Sequence, residues 1–276
     1  MSGLRRPGWL VYPLLLALLL VTALGRREHA DAPPPPPPLS SAERAALAPA
    51  VSIDPAALVR VRPKAGLYRG AAVSVGDGGF WLTAQDALAG CARPAVMVSD
   101  TDGLAARAGP GAGGAVVLTT ARGAPALPLV LAEPKPGSLA FVGGYPRGRS
   151  GELALRLLGP ETLARRDRSR RSLPVLAWAE IGRTDGLAGS LGGGLVGAPA
   201  LDGEGRIVGV ALAEAPRRGR LYTTTPAALG EALARAKAPW PPAQAAGAAF
   251  TVQNYGLAAD DLRRALRIAP VACLRG

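Results

Sequence analysis

A chain of 276 residues, of which 49% are hydrophobic, is long enough to bury a sizeable core. Its net charge of +12 comes mostly from arginine, since only Lys64, Lys135 and Lys237 are lysines. No aromatic residues are interleaved with the arginine clusters at residues 165–171 and 217–220, which argues against a nucleic-acid-binding protein. With one His and two Cys, the sequence shows no pattern typical of a metal site, and we expect no cofactor.

The N-terminus carries a targeting signal. Two arginines precede an uncharged apolar run, residues 8–25, which is about the length of a membrane-spanning helix. This run is either a retained anchor or a cleaved signal peptide. The small-x-small site at Ala30 and Ala32 is followed directly by Pro33, a poor position for cleavage. We therefore expect a retained anchor, with residues 1–7 in the cytoplasm.

Residues 26–55 form a proline-rich linker. Its run APPPPPPLSS, residues 32–41, is typical of a polyproline II spacer that holds a domain away from a membrane. A disordered leader with no spacing role explains the same residues equally well. In either case, a folded domain is expected to begin near residue 56.

Short strands separated by turns follow this linker. The chain has 36 Gly and 27 Pro and few long periodic stretches, which favours an all-β class. Gly-Asp-Gly-Gly at residues 76–79 predicts a hairpin turn, and the even spacing of the strands predicts β-barrels. Strands are predicted at residues 58–62, 71–75, 80–83, 94–98, 115–119, 127–131, 139–143, 152–157, 174–179, 198–201 and 206–212, with a short helix at 84–89.

A longer helix is predicted at residues 226–236, where the domain ends. Thr225 is a favourable N-cap, and Pro226 suits the first helical position. Leu229 and Leu233 share one face of this helix, which we expect to pack on the core.

A short tail, residues 238–276, follows the domain. We predict a strand at 250–255, an amphipathic helix at 257–269 that ends before Pro270, and a final strand at 271–275. The tail is too short for a complete peptide-binding domain, so it is expected to pack on the barrels as an appendage.

Five segments occur in the order found in one known protein family. They are GGFWLTAQDAL (78–88), AVVLTT (115–120), GSLAFVGGYPRG (137–148), GLVGAPALDGEGRIVGV (194–210) and TTTPAALGEALARA (223–236). Together they resemble trypsin-like serine proteases, especially the bacterial Deg/HtrA type. In that family the first segment leads into the helix of the catalytic His, and the fourth contains the nucleophile loop. The resemblance covers roughly residues 56–237 and implies a double six-stranded β-barrel, with barrels at about 56–125 and 126–237.

The resemblance places the three catalytic positions at Asp86, Gly114 and Val196. A Ser-His-Asp triad needs a hydroxyl nucleophile, an imidazole that takes and returns its proton, and a carboxylate that orients the imidazole. None of the three positions carries its triad residue. The one histidine of the chain, His29, lies in the linker. The resemblance therefore implies a degenerate member with no His-based triad in its folded domain.

Two other motifs suggest chemistry only at first sight. Ser190 is flanked by glycines, but it precedes a predicted strand, whereas a nucleophile elbow lies between a strand and a helix. Residues 192–197 satisfy G-x-G-x-x-G, yet Pro199 and the Asp-Gly after it lead into a strand, and a dinucleotide site needs a helix there. We interpret both segments as turns.

Cys91 and Cys273 are expected to form a disulfide. Export places them in an oxidising compartment, where an even number of cysteines favours pairing. The alternative is two buried free cysteines that act as small hydrophobic residues. A bond would tie the tail to the rim of the first barrel.

Three functions are open at this point. The first is a pseudoprotease anchored in the bacterial inner membrane, with its domain in the periplasm, that binds or scaffolds a polypeptide or an envelope protein. The second is a serine-type peptidase or other hydrolase with an unidentified active site. The third is a structural domain whose basic loops contact anionic surfaces. We favour the first, because the triad positions are replaced.

Overall fold

The computed structural model describes residues 15–16, 53–61, 68–164, 172–184, 194–239 and 249–274. Of the compact unit Met1–Leu47, only Leu15 and Leu16 are described, and both are helical. The rest of the predicted anchor and most of the predicted linker lie outside the described residues. No described helix combines the length and the apolar character needed to span a bilayer. The remaining described residues belong to a second compact unit, Ala48–Gly276.

Strands dominate this second unit. Its α-helices are α1 (Pro226–Arg235) and α2 (Tyr255–Arg264), and a 3₁₀ helix at Gln85–Leu88 follows the third strand. The described strands are β1 (Leu58–Arg60), β2 (Gly70–Gly76), β3 (Phe80–Ala84), β4 (Pro94–Met97), β5 (Asp102–Ala112), β6 (Ala115–Thr120), β7 (Leu139–Gly144), β8 (Gly151–Ala164), β9 (Ser172–Arg183), β10 (Pro199–Leu201), β11 (Ile207–Ala215), β12 (Arg220–Thr224) and β13 (Ile268–Cys273).

The second barrel is closed by strands from one continuous stretch of the chain. They form the ring β10-β11-β12-β9-β8-β7. The following helix α1 begins as predicted, because the Thr225 hydroxyl accepts a hydrogen bond from the Ala228 N–H and Pro226 occupies the first turn. Leu229 and Leu233 of α1 are fully buried. The predicted closing helix is confirmed.

The first barrel is closed by the last strand of the chain. β13 lies antiparallel between β2 and β4, with Val271 opposite both Gly70 and Val96. The ring runs β5-β4-β13-β2-β3-β6 and closes through the β5–β6 pair, while β1 pairs with β5 outside the ring. The expectation that the tail is an appendage is therefore wrong, because the edges of β2 and β4 both pair with it. The predicted all-β double barrel is confirmed.

Some predicted strands differ from those in the structure. β5 and β12 were not predicted, and the sequence of β5, DGLAARAGPGA, has the Gly and Pro content of a loop. β5 is a strand because β4 and β6 both pair with it. The predicted strand at 127–131 is absent, and only Leu129 there forms an isolated bridge, to Ile207.

The tail helix also begins and ends earlier than predicted. Residues 250–254 form turns where a strand was predicted, and α2 ends at Arg264. The end is a Schellman motif, in which the Arg267 N–H donates to the Leu262 carbonyl and Leu266 adopts a left-handed φ of +52°. A leucine at this position gives no sequence signal for a helix end, since glycine is the usual residue there.

Pro270 does not stop a helix but lies inside β13. It is opposite Ala71 of β2, at a point where pairing between β13 and β4 has not yet begun. Proline cannot donate to a β-ladder, so it is tolerated in a strand only where no partner needs its N–H. The register of β13 places Pro270 at such a point.

The tail contributes to the main hydrophobic core. Phe141 of β7 stacks against Phe250 and Tyr255, with ring centroids 5.7 and 5.9 Å away. Leu262 and Ile268 are buried in the same cluster as the inner residues of both barrels. One continuous core therefore joins the two barrels and the tail.

Candidate functional site

The three positions that the sequence resemblance assigns to a triad, called the degenerate site below, lie in three separate segments that meet between the barrels. Asp86 lies in the 3₁₀ helix after β3, Gly114 in the β5–β6 turn, and Val196 in the turn before β10. The Gln85 N–H, next to Asp86, donates to the Gly114 carbonyl at 2.8 Å. The Ala71 N–H of β2 donates to the Val196 carbonyl at 2.9 Å. The fold therefore brings these segments together, although their side chains form no catalytic set.

The side chain of Asp86 is exposed to solvent. The residue at this position in a triad must accept a proton near neutral pH and then return it, which an imidazole does well. At this position the chain has the carboxylate of Asp86 and no imidazole. The position therefore lacks the general base of the triad chemistry.

Gly114 has a backbone conformation that disfavours a residue with a side chain. Its φ of +88° is in the left-handed region, which residues with a side chain rarely adopt. A Cβ atom here would lie 3.0 Å from Leu212 and 3.3 Å from Leu173. At Gly114, both the backbone conformation and the packing of nearby leucines therefore differ from what a triad aspartate needs.

Val196 is half-buried in an apolar cluster. It packs with Ala84 at the end of β3 and with Leu212 of β11, in a cluster that also contains Val175 and Tyr222. Its turn is held in place, because the Gly197 N–H donates to the Ala211 carbonyl at 2.7 Å. Valine offers no nucleophile.

A small pocket opens beside Val196. Its volume is about 190 Å³, and most of its lining residues are apolar. Glu214 is the one charged residue in the lining, and the other residues are Leu195, Val196, Ala211, Ala213, Pro216 and Leu221. The pocket can therefore accept one apolar side chain of modest size.

Comparisons with known proteins support the fold assignment. No protein-family model matches the sequence. No curated protein matches it either. Among solved structures, the active form of the Rv3671c protease from M. tuberculosis matches with a TM-score of 0.51 at 19% identity, covering 62% of this chain and 75% of that chain. The chain has the fold of a trypsin-like serine protease.

Two further solved structures match less closely. The MamO protease domain from Magnetospirillum magneticum has a TM-score of 0.47 at 17% identity, covering 64% of this chain and 95% of that chain. A serine endoprotease from Yersinia pestis has a TM-score of 0.44 at 17% identity, covering 63% of this chain and 60% of that chain. At this level of identity the comparison establishes the fold alone, so function has to be argued from the site.

The other suspected motifs of this trypsin-like domain lie partly outside the described residues. Ser190 and His29 belong to that part of the chain. The described part of the glycine-rich motif, residues 194–197, is a turn that leads into β10, so the helix required by a dinucleotide site is absent there. Within the described ranges, no group of His, Cys, Asp or Glu side chains could hold a metal ion.

The two cysteines meet next to the degenerate site. The structure pairs Cys91 with Cys273 as a disulfide, with their Cα atoms 5.7 Å apart. Cys91 follows the 3₁₀ helix of Asp86, and its N–H donates to the Leu88 carbonyl at 2.9 Å. The bond joins the end of β13 to this helix. Formation of the bond in the exported protein stays a prediction.

A larger groove of about 450 Å³ lies on the second barrel, and several of its lining residues are charged. Glu133, Lys135 and Glu204 are among its lining residues, and so are Asp202 and Arg206, which pair with each other in the β10–β11 hairpin. None of the triad positions lines this groove.

A buried ionic network behind the site was missed by the sequence interpretation. Arg263 of α2 lies 2.5 Å from Glu152 and 2.6 Å from Asp260, and both Arg263 and Glu152 have less than a tenth of their side chains exposed. The Arg263 guanidinium also donates to the Gly144 carbonyl at 3.0 Å and lies 5.4 Å from the centre of the Tyr145 ring. In the sequence, Arg263 is one of several arginines on a predicted amphipathic helix, with no signal that it is buried.

Tyr145 connects this network to the degenerate site. Its hydroxyl donates to the Ile268 carbonyl at 3.1 Å, and its backbone N–H donates to the Gly194 carbonyl at 3.0 Å. Burial raises the pKa of Tyr145 above its ordinary value, although the Arg263 charge acts in the opposite direction. Tyr145 therefore contacts the tail through its side chain and the turn of Val196 through its backbone.

Proposed function

We propose that this chain is a pseudoprotease, a trypsin-like domain that binds or scaffolds a polypeptide without cleaving it. The observation that carries the proposal is the apolar cluster of Val196 and Leu212, which lies beside the position that a triad carboxylate would need. In this proposal a cleft between the barrels binds the polypeptide, while apolar and mostly buried side chains around Val196 take the place of catalytic groups.

Three separate requirements for proteolysis fail at this site. Val196 has no hydroxyl, Asp86 has no imidazole, and Gly114 has no carboxylate. Loss of a complete triad lowers turnover by about a millionfold, and only binding and oxyanion stabilisation contribute to what is left. Substituting one position therefore cannot restore activity.

The pocket beside Val196 suits an apolar side chain of a polypeptide. Burying one Val or Leu side chain contributes about 1.5–3 kcal/mol, whereas even millimolar affinity requires about 4 kcal/mol. A single side chain in a pocket of about 190 Å³ is therefore not enough for stable binding. The proposal implies a partner that makes several contacts along the cleft, as an extended polypeptide does.

Fluorescently labelled casein, an unfolded polypeptide, provides a test of this proposal. We expect casein to stay intact and to bind, with the anisotropy of the label reporting binding. Ala213→Leu partly fills the pocket and should weaken binding, whereas the matched control Ala132→Leu, at the exposed rim of the other groove, should not.

Two outcomes would reject the proposal in favour of another function. Cleavage of casein would establish a hydrolase. Binding that is lost steeply with added salt and is insensitive to Ala213→Leu would indicate a basic surface for anionic partners.

We also propose that residues 8–25 anchor the chain in the inner membrane with its domain in the periplasm. Support comes from the uncharged apolar run in the sequence and from Pro33, which directly follows the small-x-small site at Ala30 and Ala32. Sequencing of the mature N-terminus should find residues upstream of 25 in the membrane fraction. A mature chain that begins beyond residue 25 would contradict the anchor.

A further inference from the structure

We propose that the C-terminal tail, residues 249–274, positions the turn 194–198 and thereby regulates polypeptide binding in the pocket beside Val196. The regulatory part rests on the proposed function. The positioning part rests on contacts alone and can be tested without a partner.

The first route from the tail to this turn passes through β2. Val271 of β13 is opposite Gly70, and its carbonyl accepts a hydrogen bond from the Arg69 N–H at 2.8 Å. The next residue of β2, Ala71, donates from its N–H to the Val196 carbonyl at 2.9 Å. β13 therefore fixes the start of the strand that holds one end of the turn.

Close packing at Gly70 makes this route stiff. A Cβ atom at Gly70 would lie 2.9 Å from the side chain of Ala87 and would collide with the Val196 carbonyl. Only a residue without a side chain lets the backbone of β2 approach the turn this closely. A shift of β2 therefore moves Val196 or loses its hydrogen bond.

The second route passes through Tyr145. Its hydroxyl donates to the carbonyl of Ile268, the first residue of β13, and its own N–H donates to the Gly194 carbonyl. Arg263 of α2 donates to the carbonyl of the preceding residue, Gly144, and lies over the Tyr145 ring. The tail therefore supports the other end of the turn from both β13 and α2.

The two routes hold the turn on both sides of Leu195. The carbonyls of Gly194 and Val196 accept the two hydrogen bonds, and Leu195 and Val196 line the pocket. Because β13 is also a strand of the first barrel, the tail remains paired in the folded chain. It therefore acts on the pocket through the two bonded carbonyls, and weakening either contact alters the pocket.

Hydrogen exchange on the full chain tests the positioning. Tyr145→Phe removes one hydroxyl and its bond to Ile268 but keeps the ring under Arg263. The matched control is Tyr68→Phe, since Tyr68 packs edge-on against Tyr145 and its hydroxyl bonds Asp100, outside the tail. One hydrogen bond corresponds to about a five-fold change in an equilibrium, so we expect about five-fold faster exchange at the amide of residue 145 and a smaller increase at Ala71.

The pattern of exchange separates positioning from general stability. In Tyr145→Phe, the amides of the β8–β9 pair should keep their protection. In Tyr68→Phe, the amides of residues 145 and 71 should exchange at wild-type rates. Equal acceleration throughout both barrels, or no change at residue 145, would overturn the inference.

Casein binding distinguishes this inference from the proposed function. We expect Tyr145→Phe to weaken casein binding several-fold and Tyr68→Phe to leave it unchanged. If the wild-type chain does not bind casein, the proposed function fails while exchange still decides the positioning. If the wild-type chain binds casein and Tyr145→Phe binds equally well, the regulation is refuted and the function stands.

Discussion

The two barrels of this domain are closed in different ways. The second barrel takes all its strands from β7 to β12, between Leu139 and Thr224, whereas the first needs β13, which is separated from β6 by the whole second barrel. Closure of the first barrel therefore depends on the longest-range strand pairing in the described chain. Local sequence patterns predict strands, but they do not reveal a strand that returns from so far away.

The largest effect should come from breaking β13. Val271→Pro removes one donor from a strand paired on both sides and should prevent folding of a marginal domain. Val59→Pro is the matched control, because β1 pairs only with β5 outside the ring, and it should cost about 1 kcal/mol. Urea unfolding measures both. Equal costs for the two variants would contradict the role of β13 in closure.

The next effect should come from the buried ion pair that holds α2 against the second barrel. Arg263→Met leaves Glu152 buried without its partner and should destabilise the domain by about 3–5 kcal/mol. Its neighbour Arg264 pairs with Asp261 at the surface, so Arg264→Met should change stability by less than about 1 kcal/mol. Thermal unfolding of the two variants checks this, and a mild effect of Arg263→Met would mean that the tail docks without the network.

The disulfide should contribute a comparable or smaller amount. Cys91 and Cys273 are separated by 182 residues, and the chain-entropy estimate for such a loop is about 5 kcal/mol, an upper figure. The double variant Cys91→Ser/Cys273→Ser should lower stability by about 2–4 kcal/mol. Non-reducing peptide mapping of protein from the envelope should show the pair. Two alkylatable thiols, or a dimer linked through Cys91, would contradict it.

A smaller effect should appear at alkaline pH. Burial raises the pKa of Tyr145, so the folded state keeps a proton that the unfolded state releases near its ordinary value of about 10. This contribution to stability is complete below about pH 10 and is lost as the pH rises further. Urea unfolding between about pH 9 and 11 should show a shallower decline for Tyr145→Phe than for the wild type. Identical slopes would mean that Tyr145 ionises as readily when folded.

The smallest effect should be a gain. Lys237 follows α1 with a left-handed φ of +51°, a conformation that glycine adopts without strain. Lys237→Gly should raise stability by about 0.5–1 kcal/mol, since relief of the strain exceeds the greater entropy of glycine in the unfolded chain. Thermal unfolding measures the gain, and a loss would show that the lysine side chain contributes contacts of its own.

Much of the fold could be predicted from particular residues. The glycines at 76–79 mark a hairpin, and Thr225-Pro226 marks the start of α1, because each acts through its immediate neighbours. β5 could not be predicted, because its pairing partners make a strand of a sequence rich in Gly and Ala. The end of α2 was missed for the converse reason, since Leu266 occupies a position where glycine is the usual signal.

The candidate site was predicted in part. The positions of Asp86, Gly114 and Val196 came from ordered motifs, and the fold brings their segments together. The left-handed backbone of Gly114 belongs to the Gly113-Gly114 turn between β5 and β6, which was not predicted because β5 was not. The packing of Leu212 beside Gly114 and the burial of Arg263 beside Glu152 depend on residues distant in sequence, so no local pattern contains them. The contacts of the tail with Tyr145 and Gly144, on which its proposed positioning role rests, are likewise found only in the folded chain.

The central claim is that this trypsin-like domain has no activated nucleophile. The most direct test is the intact mass of the folded protein after incubation with a fluorophosphonate, which reacts covalently with activated serines. The account predicts an unchanged mass under conditions that label an active serine protease completely. A gain of one probe per chain, mapped to Ser190 or any other serine, would contradict it.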